Sequence, residues 1–208
     1  DAVDITFSDL LERYLVRSLD VTIRDHMGRP YRRPMTDDEL GPEGIAAYEA
    51  ALAVIQEGDL SSIPISPIDY IRGRLEQAGY STTEVTGRTN TLNYASEMAA
   101  TYHKRPAKET TSAGKITAVN DFNNGRADVI IINRSGCTGI SLHASKNFEN
   151  QQPRIMIVAQ ASLNINDLVQ TFGRIHRTGQ VELPEFKFLT TDLPAENRPA
   201  AVISRKMA

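Results

Sequence analysis

The amino-acid sequence predicts an α/β protein in which a parallel sheet carries helices on both faces, preceded by a mostly helical N-terminal extension. Residues 127–132 and 154–159 are continuous apolar runs, which are typical of parallel strands covered on both sides. Segments of helical periodicity alternate with these runs, and strands joined by crossover helices build a right-handed doubly wound sheet. We therefore divide the chain into an extension over residues 1–57 and an α/β domain over residues 58–208.

Composition restricts the function classes. The 208 residues are 40% hydrophobic and 24% charged, enough for one sizeable core. The net charge of −3 provides no overall basic field, so any contact with nucleic acid must come from a local patch. No apolar run reaches the length of a membrane span, no signal peptide is visible, and the single Cys137 fits a reducing compartment. We expect a cytoplasmic protein, or a nuclear one in a eukaryote, without a membrane partner.

The extension begins with an amphipathic helix, whose apolar stripe consists of Phe7, Leu10, Leu11, Tyr14 and Leu15. Residues 24–44 are rich in proline, glycine and charge, and we interpret them as a linker or an appended subdomain. Their arginines, Arg29, Arg32 and Arg33, leave two interpretations open: a solvated linker or a patch that binds nucleic acid. The chain starts at Asp1 rather than Met, which is compatible with a fragment or a processed product.

The α/β domain opens with a helix that the sequence delimits at both ends. Ser66 is a capping residue, Pro67 takes the first helical position and Asp69 the third, which is a capping-box pattern. Gly79 is placed to end this helix.

The remaining elements follow in alternation. Strands are predicted over residues 80–86, 127–132, 154–159 and 185–190, and helices near 93–103, 113–123, 194–207 and from about 164. Ligands of doubly wound sheets bind beyond the carboxyl ends of the strands. We therefore expect the turn Gly87-Arg88, the loop 133–141 and the helix from about 164 to lie near one edge.

The segment Gln170-Thr-Phe-Gly173-Arg174-Ile-His-Arg177 has the form Q-x-x-G-R-x-x-R. On a helix, positions i, i+3, i+4 and i+7 share one face, so these four residues are predicted to point the same way. Two fixed guanidinium groups suit a phosphate chain whose charge grows during transfer. The alternative is a solvated helix face with ordinary surface arginines.

The loop over residues 133–141 is dense in glycine and hydroxyl residues and follows a buried strand. Glycines let the backbone approach a ligand closely, and successive N–H groups form an anion nest. The alternative is that these small residues only turn the chain.

Several familiar fingerprints are excluded. Gly114-Lys115 is not a phosphate loop, because Glu109 stands where glycine is required and Ile116 where Ser or Thr is required. No G-x-G-x-x-G occurs, and the four histidines have no metal-ligand spacing, so no metal site is predicted. The acidic run 37–39 follows no apolar strand, so we interpret it as a turn or a helix start rather than a metal-binding motif.

Taken in order, these motifs resemble the second RecA-like domain of superfamily 2 helicases and translocases, over roughly residues 60–192. Residues 63–70 look like motif IV, and residues 84–88 look like the nucleic-acid-facing loop that follows it. Residues 135–142 look like motif V, and residues 170–177 look like motif VI.

Within this superfamily the chain is similar to the strawberry notch-like group, which includes helicase-like proteins of phages and mobile elements. The segments that carry this similarity are residues 122–125, 141–142, 170–174 and 184–186. Residues 176–180 are also similar to the chromatin-remodelling translocases.

The resemblance implies an ATP site shared between two domains. Arg174 and Arg177 would be arginine fingers, which stabilise charge on the departing γ-phosphoryl group. The other nucleotide-site residues would be Gln170, Gly173, Gly139 and Ser141. At Ser141 the chain departs from the family pattern, because many relatives have Asp or Asn there. The Mg²⁺ ion that accompanies ATP would be held mainly by a first RecA-like domain, which the resemblance implies as partner.

The resemblance also implies contacts with the backbone of a nucleic-acid strand, DNA or alternatively RNA, through Thr86, Gly87, Arg88 and Ser135. The function predicted in this way is the C-terminal motor domain of an ATP-dependent helicase or translocase. Because the 208 residues contain no phosphate loop, we expect them to be inactive alone. The alternatives are a non-catalytic RecA-like interaction module and a small-molecule α/β enzyme, although a cofactor fingerprint is lacking.

Overall fold

The computed structural model describes residues 2–3, 5–96, 99–136, 139–160, 162, 164–191, 201–202 and 205. It confirms the predicted α/β class, with parallel strand pairs and intervening helices. The chain forms two compact units, Asp1–Gly73 with Thr91–His103, and Arg74–Asn90 with Lys104–Ala208. These units divide the chain at other positions than 57/58, and the domain boundary that we placed there stays a prediction.

The first unit contains the predicted amphipathic helix. A short strand, β1 (Ala2–Val3), precedes helix α1 (Phe7–Ser18). The helix begins with a capping box, in which the Asp9 carboxylate accepts from the Thr6 N–H at 2.7 Å and the Thr6 hydroxyl accepts from the Asp9 N–H at 3.2 Å. These two bonds satisfy donors that the first turn would otherwise leave free.

Of the two interpretations that we gave for residues 24–44, the ordered structure favours an appended subdomain over a linker, because the chain forms a hairpin and a helix there. Strands β2 (Asp20–Arg24) and β3 (Pro30–Pro34) pair antiparallel over five residues each. The Asp25 carboxylate closes the turn by accepting from the N–H groups of Met27 and Arg29, at 2.9 and 2.8 Å. Proline and glycine thus mark the turn of a hairpin rather than an unstructured segment.

Helix α2 (Asp37–Glu57) follows the hairpin, so the interpretation of residues 37–39 as a helix start is confirmed. Thr36 and Glu39 form its capping box. The helix is kinked at Gly41, which has a φ of 67° and is followed in sequence by Pro42. The extension therefore contains two helices with a β-hairpin between them.

Helix α3 (Pro67–Gln77) begins at the predicted proline, and Gly79, with φ of 90°, ends it as expected. The predicted helix near 93–103 is wrong, because this region forms the strands β5 (Asn90–Ser96) and β6 (Ala99–Lys104) after β4 (Thr82–Val85). The Asp69 carboxylate fixes β5 by accepting from the Leu92 N–H at 2.8 Å. This long-range bond has no signature in the local periodicity.

The second unit contains the predicted apolar strands. After helices α4 (Ala107–Thr110) and α5 (Ser112–Asn123), strand β7 (Val129–Ile132) pairs in parallel with β4. Strand β8 (Ile155–Val158) precedes helix α6 (Ile165–Phe172) and pairs in parallel with β9 (Glu185–Phe188). Within the described residues these are two separate hydrogen-bonded pairs, whereas we expected one continuous sheet.

One core cluster holds the second unit together. Leu142, Met156 and Ile175 are buried at its centre. The apolar side chains packed around them come from both strand pairs, from α5 and α6, and from the loop after β7: Val119, Phe122, Ile130, Ile132, Ile140, Val158, Phe172 and Phe186. Because Ile140 and Ile175 belong to this cluster, the core fixes the two segments that resemble motifs V and VI.

The helix predicted over residues 194–207 falls largely on residues outside the described part of the chain. Among the described residues, no helix is both long and apolar enough to cross a membrane.

Candidate functional site

The Q-x-x-G-R-x-x-R segment leaves its helix earlier than predicted. Helix α6 ends at Phe172, and Gly173 is its C-cap. Arg174 and Ile175 continue as a tight turn, with the Arg174 N–H donating to the Thr171 carbonyl at 3.0 Å. Ile175 is buried in the core, so the chain turns inward after the glycine, a poor helix former. The prediction that the four residues of the Q-x-x-G-R-x-x-R pattern share one helix face is therefore wrong.

The two arginines meet through tertiary structure instead. Arg174 Nη1 lies 3.4 Å from the carbonyl oxygen of Ile140, and Arg177 Nη2 lies 3.3 Å from the same atom. Arg177 Nε also donates to the Gly173 carbonyl at 2.8 Å. We call Arg174 and Arg177 the arginine pair. It brings two guanidinium groups onto the loop over residues 133–141, which we call the motif V loop after the motif that it resembles.

The motif V loop is tied to the same segment by its backbone. The Leu142 N–H donates to the Arg174 carbonyl at 2.8 Å. Gly139 is exposed with φ of 78°, in the left-handed region that favours glycine. The Ser141 hydroxyl lies 2.8 Å from Nδ1 of His143. Gly139 and Ser141 therefore lie in the loop that the arginine pair contacts, as their shared assignment requires.

Gln170 and Gly173 hold different places. Gln170 is exposed on the last turn of α6, and Gly173 contributes its carbonyl to Arg177. Cys137 and Thr138, in the middle of the motif V loop, lie outside the described residues.

Asn123 is a positioning residue that sequence reasoning did not identify. Its side chain is 1% exposed, and Nδ2 donates to the Ser141 carbonyl at 3.0 Å. The same residue ends α5, so the helix and the motif V loop are joined by one amide. The sequence offered only its place in the helix-ending stretch 122–125.

The electrostatics of this region disfavour an imidazolium ion. Burial lowers the pKa of His143, and the charges of Arg177 and Arg154 lower it further. Arg174 Nε is buried and donates to none of the described residues. A buried donor without a partner costs free energy.

The loop after β4 is built on a buried ionic cluster. Glu84 is 3% exposed, and its carboxylate accepts from Arg88 Nε at 2.7 Å and from Arg88 Nη2 at 2.6 Å. The Thr86 hydroxyl also donates to this carboxylate. Burial raises the pKa of Glu84, but the hydrogen bonds from Arg88 and Thr86 and the charges of Arg88 and Arg105 outweigh it, and the net pKa is lowered.

Arg105 completes the cluster and was missed by sequence reasoning. It is 2% exposed, and its Nη1 lies 3.0 Å from Glu84 Oε1 and donates to the Arg88 carbonyl at 3.0 Å. Its backbone N–H donates to the Thr89 carbonyl at 2.8 Å. Arg105 lies in an irregular polar stretch of sequence, where nothing marks it as a partner of Glu84.

The four residues that were predicted to contact a nucleic-acid strand differ in accessibility. Thr86 is 1% exposed and its hydroxyl is bound within the cluster, so its side chain does not face a ligand. Gly87 and Ser135 are exposed, and Arg88 is partly exposed. A Cβ added at Gly87 would lie 3.0 Å from the Ser135 Cβ, so the two loops are in close contact. Gly87, Arg88 and Ser135 thus form the accessible part of this surface.

Within the described residues, no group of three His, Cys, Asp or Glu side chains is arranged to hold a metal ion.

Comparison with known proteins places the chain in a family. Residues 68–208 match the family described as the C-terminal domain on Strawberry notch homologue. The chain is 31% identical to Protein FORGETTER 1 of Arabidopsis thaliana over 170 residues, which are 77% of this chain and 13% of that protein. It is 26% identical to Protein strawberry notch homolog 2 of Homo sapiens over 202 residues, 90% of this chain and 14% of that protein.

The chain therefore spans a small part of the length of these relatives. Among solved structures, the C-terminal part of the Fun30 ATPase domain is similar at 17% sequence identity with a TM-score of 0.47. That similarity covers 82% of this chain and 48% of the Fun30 chain.

Proposed function

The chain belongs to the family of the C-terminal domain of strawberry notch homologues, and from this membership we propose that it is the second half of an ATP-dependent nucleic-acid motor. A first RecA-like domain would hold ATP and most of its Mg²⁺ coordination. The present chain would close this site with the arginine pair and would bind a nucleic-acid strand, DNA in the first instance.

The observation that carries the proposal is the convergence of Arg174 and Arg177 on the Ile140 carbonyl. A carbonyl oxygen carries only a partial charge, so a phosphate oxygen with a full charge is a stronger acceptor for guanidinium groups. The arginine pair is thus held close together and can exchange a weak acceptor for a strong one.

The residues present also fit a triphosphate chemically. The buried Arg174 Nε has no acceptor among the described residues, and Gly139 is exposed with nothing within 4 Å of the position of a Cβ. When bound, ATP supplies a γ-phosphoryl group whose departure concentrates negative charge. Two guanidinium groups that are already held close together stabilise that charge once they exchange the Ile140 carbonyl for phosphate oxygens.

The second surface fits a strand contact. Gly87 and Ser135 are small, exposed residues that lie side by side, and the Arg88 side chain is oriented by its ion pair with Glu84. Such contacts reach phosphates and carry no sequence information, as a motor that moves along a strand requires.

The proposal is tested in a longer polypeptide that joins a first RecA-like domain to this one. We expect Arg174→Gln and Arg177→Gln each to lower kcat for nucleic-acid-stimulated ATP hydrolysis by about 10³-fold, as for other arginine fingers. Arg126→Gln is the matched control, because Arg126 is a surface arginine that pairs with Asp121 at 2.8 Å outside the site. We expect this control to keep its kcat.

If both finger variants keep the kcat of the control, the arginines do not act on the nucleotide. If the longer polypeptide hydrolyses no ATP with single-stranded DNA, duplex DNA or RNA, the domain is the non-catalytic RecA-like interaction module instead.

A further inference from the structure

The β2–β3 hairpin, residues 20–34, is a basic element in an acidic chain. The whole chain carries a net charge of −3. The hairpin carries two acidic residues, Asp20 and Asp25, and four basic ones, Arg24, Arg29, Arg32 and Arg33. A local excess of positive charge against the overall balance is the pattern expected of a surface that binds a polyanion.

The strand register sorts these arginines onto two faces. Thr22 pairs with Arg32 and Arg24 pairs with Pro30, so Arg24 and Arg32 lie on one face. As diagonal neighbours across the strands, their Cβ atoms are about 7–8 Å apart. Val21 pairs with Arg33, which therefore lies on the opposite face.

Only one of the four arginines is neutralised within the described residues. Arg33 forms two hydrogen bonds of 2.6 Å with the Glu39 carboxylate. Arg24, Arg29 and Arg32 are exposed, and none of them forms an ion pair with a described carboxylate. The nearest acid in sequence, Asp25, is occupied by the backbone of the turn.

An exposed aromatic ring accompanies this charge. Tyr31 lies between Arg29 and Arg32 in sequence, is 46% exposed, and shares the face of Arg33. Arg24 and Arg32 lie on the other face, so a ligand reaches the ring and the cations together only along the edge of β3, which pairs with no further described strand. A ligand that follows this edge meets cations for its phosphates and a ring for its bases, the combination by which proteins bind single strands. An acidic protein partner or a lipid surface would use the same charge, and the competitors in the tests below distinguish these ligands from a nucleic acid.

We propose that the hairpin binds single-stranded nucleic acid, with Arg24, Arg29 and Arg32 on backbone phosphates and Tyr31 stacked on a base. This inference rests on the proposed function for the class of ligand, and it adds a contact surface outside the family motifs. The turn stays closed without the arginine side chains at 29 and 32, because Asp25 bonds to backbone N–H groups. Substitutions at these two positions therefore leave the hairpin folded.

The first test measures binding of a fluorescent oligothymidylate to the 208-residue chain by anisotropy, over a series of salt concentrations. We expect the double substitution Arg29→Gln with Arg32→Gln to reduce the slope of log affinity against log salt by about 1.4, at about 0.7 per phosphate contact on a single strand. The control is Arg13→Gln with Arg17→Gln on α1, which removes the same charge from exposed positions of the same unit. The slope of this control should equal that of the unsubstituted chain.

The second test separates stacking from charge. We expect Tyr31→Leu to weaken binding about fivefold or more while leaving the salt slope unchanged. Tyr31→Phe keeps the ring and should restore the affinity. Circular dichroism of each variant verifies that the hairpin variants fold like the unsubstituted chain.

Four outcomes would overturn the hairpin proposal: an absence of binding at low salt, equal losses in the hairpin and α1 variants, equal binding of polyglutamate, or equal binding of anionic vesicles. Arg88→Gln distinguishes this failure from a failure of the proposed function. If Arg88→Gln reduces binding and the hairpin variants do not, the motor surface stands and the hairpin proposal falls. The ATPase test of Arg174 and Arg177 is independent of all these variants.

Discussion

At the scale of single residues, Arg174 and Arg177 show what a sequence pattern can and cannot predict. Their spacing predicted a common helix face, whereas they share a common acceptor, the Ile140 carbonyl. The helix ends because Gly173 is a weak helix former and because the next apolar side chain turns into the core. The residue types that could bind phosphate were predictable, but the way in which they come together depends on a loop residue that lies 34 and 37 positions upstream of them.

His143 provides a prediction at this scale. Burial lowers its pKa first, and the charges of Arg177 and Arg154 lower it further. We expect Arg177→Gln to raise the pKa of His143, because one of two repelling cations is removed, and to leave it below about 6.5, because burial remains. NMR titration of the imidazole resonances measures this directly.

The same shift links His143 to stability. A histidine whose folded pKa is lowered lets the unfolded chain take up the proton first, so stability falls as pH drops below about 6.5. This loss should be smaller in Arg177→Gln. Arg126→Gln is the control, because the charge of Arg126 does not act on His143, and its stability should depend on pH as that of the unsubstituted chain does. An equal rise of the His143 pKa in both variants would contradict the assignment.

At the scale of elements, the strands were more predictable than their partners. The apolar runs that became β7 and β8 were found within about two residues, because burial on both faces leaves a local signature. The pairing of β4 with β7 and the ionic link between Glu84 and Arg105 join residues far apart in sequence. No local pattern encodes such pairs, and the same limit explains why the β5–β6 region was mistaken for a helix.

The loop after β4 gives a prediction at this scale. Glu84→Gln would leave the Arg105 side chain, 1% exposed, without its main carboxylate partner, and breaking a buried pair costs about 3–5 kcal/mol. We expect a loss near the lower end, since Glu109 remains 3.3 Å from Arg105. Chemical denaturation at neutral pH measures it.

The pH dependence tests the same carboxylate. Because its folded pKa is lowered, Glu84 contributes stability above the unfolded value of about 4.3 and loses it as pH falls through the folded pKa. Glu84→Gln should therefore flatten the acid limb of the stability profile. Glu185→Gln is the control, because Glu185 pairs on the surface with Lys187 at 3.4 Å; equal losses in the two variants would refute the buried cluster.

At the scale of the whole molecule, the 208 residues provide only one half of the site that we propose. They have Glu109 and Ile116 where a phosphate loop needs glycine and a hydroxyl residue. The purified 208-residue polypeptide is therefore expected to release no phosphate from ATP, with or without single-stranded DNA. Phosphate release that disappears on Arg177→Ala would show that this chain contains a complete site, and would refute the prediction.

The Ile140 carbonyl has a consequence for how such a site could exchange ligands. A carbonyl oxygen has two lone pairs, and here each guanidinium group of the arginine pair approaches that one atom. When one arginine departs towards a phosphate, the other still satisfies the oxygen. The handover would then proceed one bond at a time: the first exchange leaves the oxygen with a donor, and only the second, when the phosphate is already held, releases it.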